Sequence, residues 1–453
     1  MPFAESIFLK FVLPNPTVWF YFSALLAIAM FVKFARLLSI RNFDVLALFL
    51  FMPGLLLLTE SRGENSLDRW GFVWLLAASG YFFARCLFDL GLTRRPILNS
   101  NLSIGGLFCL AGTLFVSLMA IPLESPRNKA TDQGDPPSPS ELGKAVTPIG
   151  EKIAQSPPVA GLTRVDSSDL DLLVHRTLAL LCHLAIAVGL VLIGVKHFQD
   201  VEAGAAAAAL YLLLPYSFLL LPYTPLETVL KAGRWDHAWP MAWMIWMVLA
   251  YRRPAVAGAF LGVAAGSVFF PVLVMPVWLG FYWRRGALRF ALSFVLSAGI
   301  CLGLLSLAIW LNGGEFFSIL RSPWNQSTWQ PWKAPPPDAR SVWAGVHWAY
   351  RMPVFLAYLA FAATTAFWPR PKDLAHVLAL SAAVLIGIQF WYADQGGVYV
   401  LWYLPFLLLL VFRPNLTACQ PPPPTEDWLT RLGRRILGVL PRLRRLPEPE
   451  KVG

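Results

Sequence analysis

The sequence predicts an all-α, polytopic membrane protein, and three observations carry that fold class. Apolar side chains supply 57% of the 453 residues and charged ones only 14%, whereas a soluble domain covers itself with about 25% charged residues. Apolar runs of roughly 17 to 25 residues, the length that crosses about 30 Å of hydrocarbon, recur along the chain. The basic residues fall in short clusters between those runs, as they do in membrane proteins oriented by charge.

Taken in order, the runs predict about 13 spans. They lie near 17–35, 44–59, 70–90, 102–122, 173–195, 202–222, 236–251, 254–268, 270–283, 286–311, 343–367, 374–392 and 398–413. The stretch 254–283 is too long for one crossing and short for two. With Pro271 near its middle and basic clusters at both ends, it predicts two short helices entering and leaving on one face. In this threading Lys33/Arg36/Arg41, Arg94/Arg95, Arg252/Arg253, Arg284/Arg285/Arg289, Arg370/Lys372 and Arg413 share a side. Loops 59–69, 123–172, 223–235, 312–342 and 393–397 take the other side and are acidic or mixed in charge. The basic side is therefore expected to be cytoplasmic, in a multi-pass plasma-membrane protein with its N-terminus outside and its C-terminus inside.

Three segments lie outside the spans. Residues 123–172 are rich in Pro, Ser and charge without an aromatic residue, so they cannot bury enough apolar area to fold alone. Residues 312–342 hold the Trp- and Pro-dense "SPWNQSTWQPWKAPPPD". After four prolines from Pro421, the tail places Trp428, Leu429, Leu432, Ile436 and Leu440 at helical spacing with Arg on the other face. That pattern suits a helix lying on an anionic leaflet. The organisation expected is a three-span N-terminal module (1–101), a membrane core (102–413) and a cytoplasmic Pro-rich linker with a basic amphipathic helix (414–453).

Composition also excludes. The net charge of +11 is spread over loops and forms no basic domain, so nucleic acid is not expected as a partner. Cys86, Cys109, Cys182 and Cys301 lie within apolar runs and Cys419 stands alone, a pattern of neither zinc site nor disulfide framework. No cleaved signal peptide is expected from residues 1–16. Gly-rich nucleotide loops, Ser/His/Asp nucleophile arrangements and HExxH are missing, and DxD occurs only as "DLD" at 169–171.

Ionisable side chains in spans are functional candidates, though near span ends they usually cap or snorkel. Asp44 is expected to oppose the positive end of its helix. Arg85 and Asp89, four apart, are expected to pair within one helix. His183 sits deep with no partner nearby in sequence, and a neighbouring helix is expected to satisfy it. The segment "PYTPLETVLKAGRWDHAWP" is different, because Glu227, Lys231, Arg234, Asp236 and His237 crowd 11 residues just before a span. One reading is an interfacial belt anchored by Trp235, Trp239 and Trp243. The other is a site where cations bind a lipid phosphate while carboxylate and imidazole move a proton. Trp324, Trp329, Trp332, Trp343 and Trp348 divide the same way, between a sugar or polyprenyl groove and interfacial packing. Asp394 and Gln395 precede Gly396 and Gly397 in a tight turn, where a capping Asp is ordinary.

The stretch "YRRPAVAGAFLGVAAGSVFFPVLVMPVWLGFYWRRGALRFA" resembles a helix pair of the GT-C glycosyltransferases, specifically family 87, whose members use polyprenyl-phosphate mannose. "AAAAALYLLLPYSFLLLPY" looks like the preceding helix and "GGVYVLWYLPFLLLLVFRPNL" like the closing one, so the resemblance covers about 170–413. It implies a first core helix at 102–122, a long outer loop at 123–172 and an acidic general base there. It further implies that a hexose leaves a lipid phosphate with inversion. Family members usually carry a basic residue at the break between the paired helices, where this chain has Val268 or Phe269. Among Glu124, Asp132, Asp135, Asp166, Asp169 and Asp171 nothing singles out one base.

The function expected first is a hexosyltransferase on the outer face. Asp236 and His237 would be its catalytic pair, with Asp236 as base or metal-facing carboxylate. Glu227, Lys231, Arg234, Trp324, Trp329 and Trp332 would bind substrate, with a divalent metal as the one candidate cofactor. The expected partners are the bilayer and a polyprenyl-phosphate lipid. A non-catalytic scaffold or lipid-handling protein that kept the bundle stands second. A transporter is third, since no internal repeat of helices is evident.

Overall fold

The computed structural model describes residues 16–60, 65–92, 98–124, 167–217, 235–311, 313, 315–317, 329–336 and 339–423. Among these no strand occurs. The physical reason is that a helix satisfies every backbone polar group within its own segment, which an apolar surrounding demands.

Each expected span contains a helix. They are α1 (Pro16–Phe31), α2 (Ile40–Ala47), α3 (Phe51–Glu60), α4 (Asn65–Asp89), α5 (Ile104–Glu124), α6 (Ser167–Ile193) and α7 (Val201–Leu213). There follow α8 (Trp235–Leu249), α9 (Pro254–Ser267), α10 (Met275–Phe281), α11 (Ala287–Leu311), α12 (Arg351–Phe367), α13 (Leu374–Trp391) and α14 (Leu404–Phe412). Among the described residues five stretches are long and apolar enough to cross a membrane: Ile40–Leu58, Leu67–Asp89, Thr177–Phe198, Ala287–Leu311 and Leu374–Trp391. Several of the others are shorter apolar helices.

The bundle is organised around α13. All its residues except His376 and Phe390 are buried, and it packs on α4, α12 and α14. At its start Asp373 accepts from the His376 amide while the imidazole accepts from the Asp373 amide, a reciprocal cap. Among the described residues the most extensive helix pair is α9 with α11. Gly258, Gly262 and Gly266 recur every fourth residue along α9. A Cβ on them would strike the carbonyls of Phe290, Phe294 and Ala298. Small residues let the backbones close up where lipid offers no hydrophobic drive to association. Ser297 Oγ then donates to the Ala259 carbonyl at 3.0 Å across the interface.

Polar contacts sort the loops into two ends. At the basic end Arg85 donates to both Asp44 oxygens (2.9 and 3.0 Å) and to Asp89 at 3.2 Å. Arg413 reaches the other Asp89 oxygen at 2.8 Å. The expected intrahelical pair is thus part of a larger network, and Asp44 serves as a cross-helix acceptor rather than only a helix-end charge. The same end joins Arg41 to the Asn99 carbonyl (2.6 Å), the Ser100 amide to Glu202 (2.6 Å) and His197 to the Leu249 carbonyl (2.8 Å). At the opposite end Arg340 pairs with Asp68, and its amide donates to Asp394 at 3.1 Å. Asp394 therefore clamps one loop to another. Nearby, Arg351 donates to the carbonyls of Gln330 (2.6 Å) and Lys333 (2.9 Å). Between the ends His183 meets Tyr211 Oη at 2.7 Å, the neighbouring-helix partner expected for it.

Candidate functional site at the aromatic end

Helix α8 opens with Trp235, Asp236 and His237. Pro240 has no N–H for the Asp236 carbonyl, so that acceptor lacks its helical partner in the first turn. Trp235 is buried against Ala179 of α6. The half-buried His237 approaches the chain just before α14. Its Nδ1 lies 2.9 Å from Trp402 Nε1. An indole N–H only donates, so Nδ1 accepts and the neutral imidazole carries its proton on Nε2. Nε2–H is thus the donor of this ring.

The ring it touches belongs to a stack. Phe270 lies on Trp402 with centroids 4.1 Å apart, and Trp402 on Tyr399 at 4.4 Å, both pairs nearly parallel. His237 rests against Tyr399 at 5.4 Å. Phe270 comes from the break between α9 and α10, where Val268 leaves the helix in an extended conformation. Trp239 Nε1 donates to Ser267 Oγ at 2.9 Å and ties this break to α8. Trp329 joins from the Trp-rich loop, 5.5 Å from Phe269 and 4.8 Å from Tyr392. Four stretches far apart in sequence thus meet: the start of α8, the α9–α10 break, the Trp329 loop and residues 392–402.

A cavity of about 10 Å³ lies beside His237, lined by Leu55, Tyr216 and Val398–Trp402. That holds roughly one water and no sugar. The rings of the stack are themselves buried, Phe270 at 0%, Trp402 at 4% and Tyr399 at 9% exposure. Only Trp329 beside them is half-buried, with an aromatic face of the kind that packs on the apolar face of a pyranose or on an isoprenoid. Among the described residues no three His, Cys, Asp or Glu side chains converge as a metal site would require.

Of the residues expected at the site, His237 and Trp329 are brought together here. Trp332 is 45% exposed and takes no part in the stack. Glu227, Lys231, Arg234 and Trp324 lie outside the described residues, as does the side chain of Asp236. Phe270, Tyr399 and Trp402 were not expected. Tyr399 and Trp402, at the end of "GGVYVLW", carried a signal in their three-residue spacing, but apolar surroundings made it read as span packing. Comparison with protein-family models, curated proteins and solved structures finds no match to the chain.

Proposed function

We propose that the chain is a GT-C-type membrane hexosyltransferase of the plasma membrane, with its basic end in the cytoplasm. In this reading it moves a hexose, mannose being the resemblance's sugar, from a polyprenyl phosphate to an acceptor on the outer face. The observation that carries this is the meeting of His237, the α9–α10 break and the Phe270/Trp402/Tyr399 stack at one end of the bundle. The resemblance puts a basic residue at the break, and in this reading His237 supplies a donor there in its place.

In the reaction the acceptor oxygen bonds to the sugar's C1 as the bond from C1 to the phosphate oxygen breaks, with inversion. Asp236 takes the acceptor's hydroxyl proton. The departing phosphate keeps the electron pair, and His237 Nε2–H, Arg234 and Lys231 stabilise its charge. Trp329 holds the sugar or the first isoprene units, the buried stack fixes the His237 ring behind it, and Glu227, Trp324 and Trp332 complete the binding surface.

Membranes carrying wild type, Asp236→Asn or His237→Ala, supplied with polyprenyl-phosphate hexose, test this. Transfer is expected from wild type and at least about a hundredfold less from Asp236→Asn, the usual size of a general-base contribution. Equal activity in both would remove Asp236 from the mechanism. The second reading, a non-catalytic scaffold or lipid-handling protein, draws on the cavity's size of about 10 Å³. It is favoured if wild type itself transfers nothing.

A further inference from the structure

A second opening lies at the other end. A groove of about 650 Å³ runs between the end of α6 and the α8–α9 turn, and its polar wall carries Lys196, His197, Gln199, Arg252 and Arg253 without a carboxylate. We propose that this groove binds the phosphate headgroup of an anionic phospholipid. The assignment is independent of any sugar transfer at the opposite end.

Local structure builds the cationic wall. After α6 the chain makes a π-helical turn, Gly194–Phe198, closed by Gln199 in the left-handed region at φ 55°. Such turns mark functional sites more often than chance. A Cβ on Gly194 would strike the backbone of Gly204 in α7, so the turn sits tight against its neighbour. His197 Nε2 then ties it to the Leu249 carbonyl of α8 at 2.8 Å, while Lys196 stays exposed. Across the groove, Arg252 lies over the ring of Tyr251 at 5.7 Å and donates to its hydroxyl at 3.2 Å. Arg253 is the N-cap of α9 and gives that helix no side-chain cap. Val256, in the first turn of α9, lines the groove, so the positive end of the helix borders it as well.

The cations are uncompensated among the described residues, where no carboxylate pairs with Lys196, Arg252 or Arg253. The neighbouring acids are engaged, Asp200 with the Ala203 amide and Glu202 with the Ser100 amide. Val195, Trp246, Leu249, Ala250, Val256 and Phe260 form the rest of the wall, and Val195 and Val256 are 40% and 38% exposed. A free phosphate has no use for that apolar side, whereas an acyl chain does. The position suits basic pockets between helices that take lipid headgroups.

The test is lipid retention by the purified full chain, read by native mass spectrometry in detergent. Phosphatidylglycerol is expected to remain bound where phosphatidylcholine of the same chains does not. Removing two charges with Arg252→Gln/Arg253→Gln should weaken phosphatidylglycerol binding about thirtyfold. Val256→Trp keeps every charge but fills the groove, and should weaken it too, so a folding defect in the first variant leaves the second to decide. Equal retention of both lipids, or no change in either variant, overturns the proposal. Displacement of phosphatidylglycerol by glycerol phosphate alone would overturn it in favour of a free-anion site.

Discussion

Helices α11 and α13 look alike as sequences and are opposites in the molecule. Both are continuous apolar runs able to cross a membrane. Yet 89% of the α13 window is buried within the protein and only 11% of the α11 window is. The more apolar of the two is the exposed one. Lipid tails are as apolar as leucine, so apolarity alone does not drive a helix to the centre. What separates them is small and polar side chains. On α13, Ser381 accepts from Trp278 Nε1 at 3.2 Å, Gln389 accepts from the Gly397 amide at 2.9 Å, and Gly387 lies under the ring of Tyr358. On α11 the small or polar residues that meet the glycines of α9 are Ser293, Ser297, Ala298 and Cys301, whereas Gly299 and Gly303 face open space. Leu292, Val295, Leu296, Ile300 and Leu304 are turned outward.

One substitution made on both helices gives the sharpest test. Leu385→Ala in α13, at 0% exposure, should cost about 2–5 kcal/mol, the range for a buried cavity. Leu296→Ala in α11, at 66% exposure, should stay within about 0.5 kcal/mol. Thermal unfolding in detergent micelles measures both, and equal effects would break the comparison. A smaller loss is expected where α11 does make contact. Gly262→Leu in α9 forces the two backbones apart and should cost about 1–3 kcal/mol by overpacking, read as a lowered melting temperature. If that variant melts like wild type, the glycine ladder does not hold the pair.

The smallest effect concerns how the two helices begin. Arginines 284, 285 and 289 precede or open α11, whereas the lysine before α13 is buried, donating to the Ala366 carbonyl at 3.2 Å. Burial, helped by the charge of Arg370, pushes the Lys372 ammonium down to about 8 from its ordinary 10.5. Between those values the unfolded chain binds the extra proton, so stability should rise as pH climbs from 8 to 10.5. Below pH 8 both states are charged and the full burial penalty applies. Lys372→Met should flatten the slope, and a wild type without any slope would place the ammonium in solvent.

The positions of the helices were legible because each apolar run must be long and its ends must be polar. The α9–α10 break was legible for the same reason, since Pro271 and two Arg clusters bound a run of awkward length. The site was legible only in part. His237 was conspicuous as an ionisable group at a span end, and Trp329 as one indole in a Trp-rich loop. Trp402 was not, because an indole within an apolar run looks the same whether it packs a core or orients a histidine. The Arg252/Arg253 turn reads in the sequence as charge that sets orientation and Lys196 carries no signal of its own, since nothing local says that two such turns enclose one groove.

By itself the sequence determined that this chain is helical and roughly where its apolar helices lie, although the run 44–59 is split between α2 and α3, α7 ends at Leu213 and α12 begins only at Arg351. These follow from hydrocarbon length, backbone hydrogen bonding and charge, all of which act within one segment. Only the tertiary structure decided that α13 is central and α11 peripheral, that Asp89 bridges Arg85 and Arg413, and that His237 accepts from Trp402. Those facts depend on which faces meet, and in an apolar surrounding close packing and hydrogen bonds between distant segments make that choice.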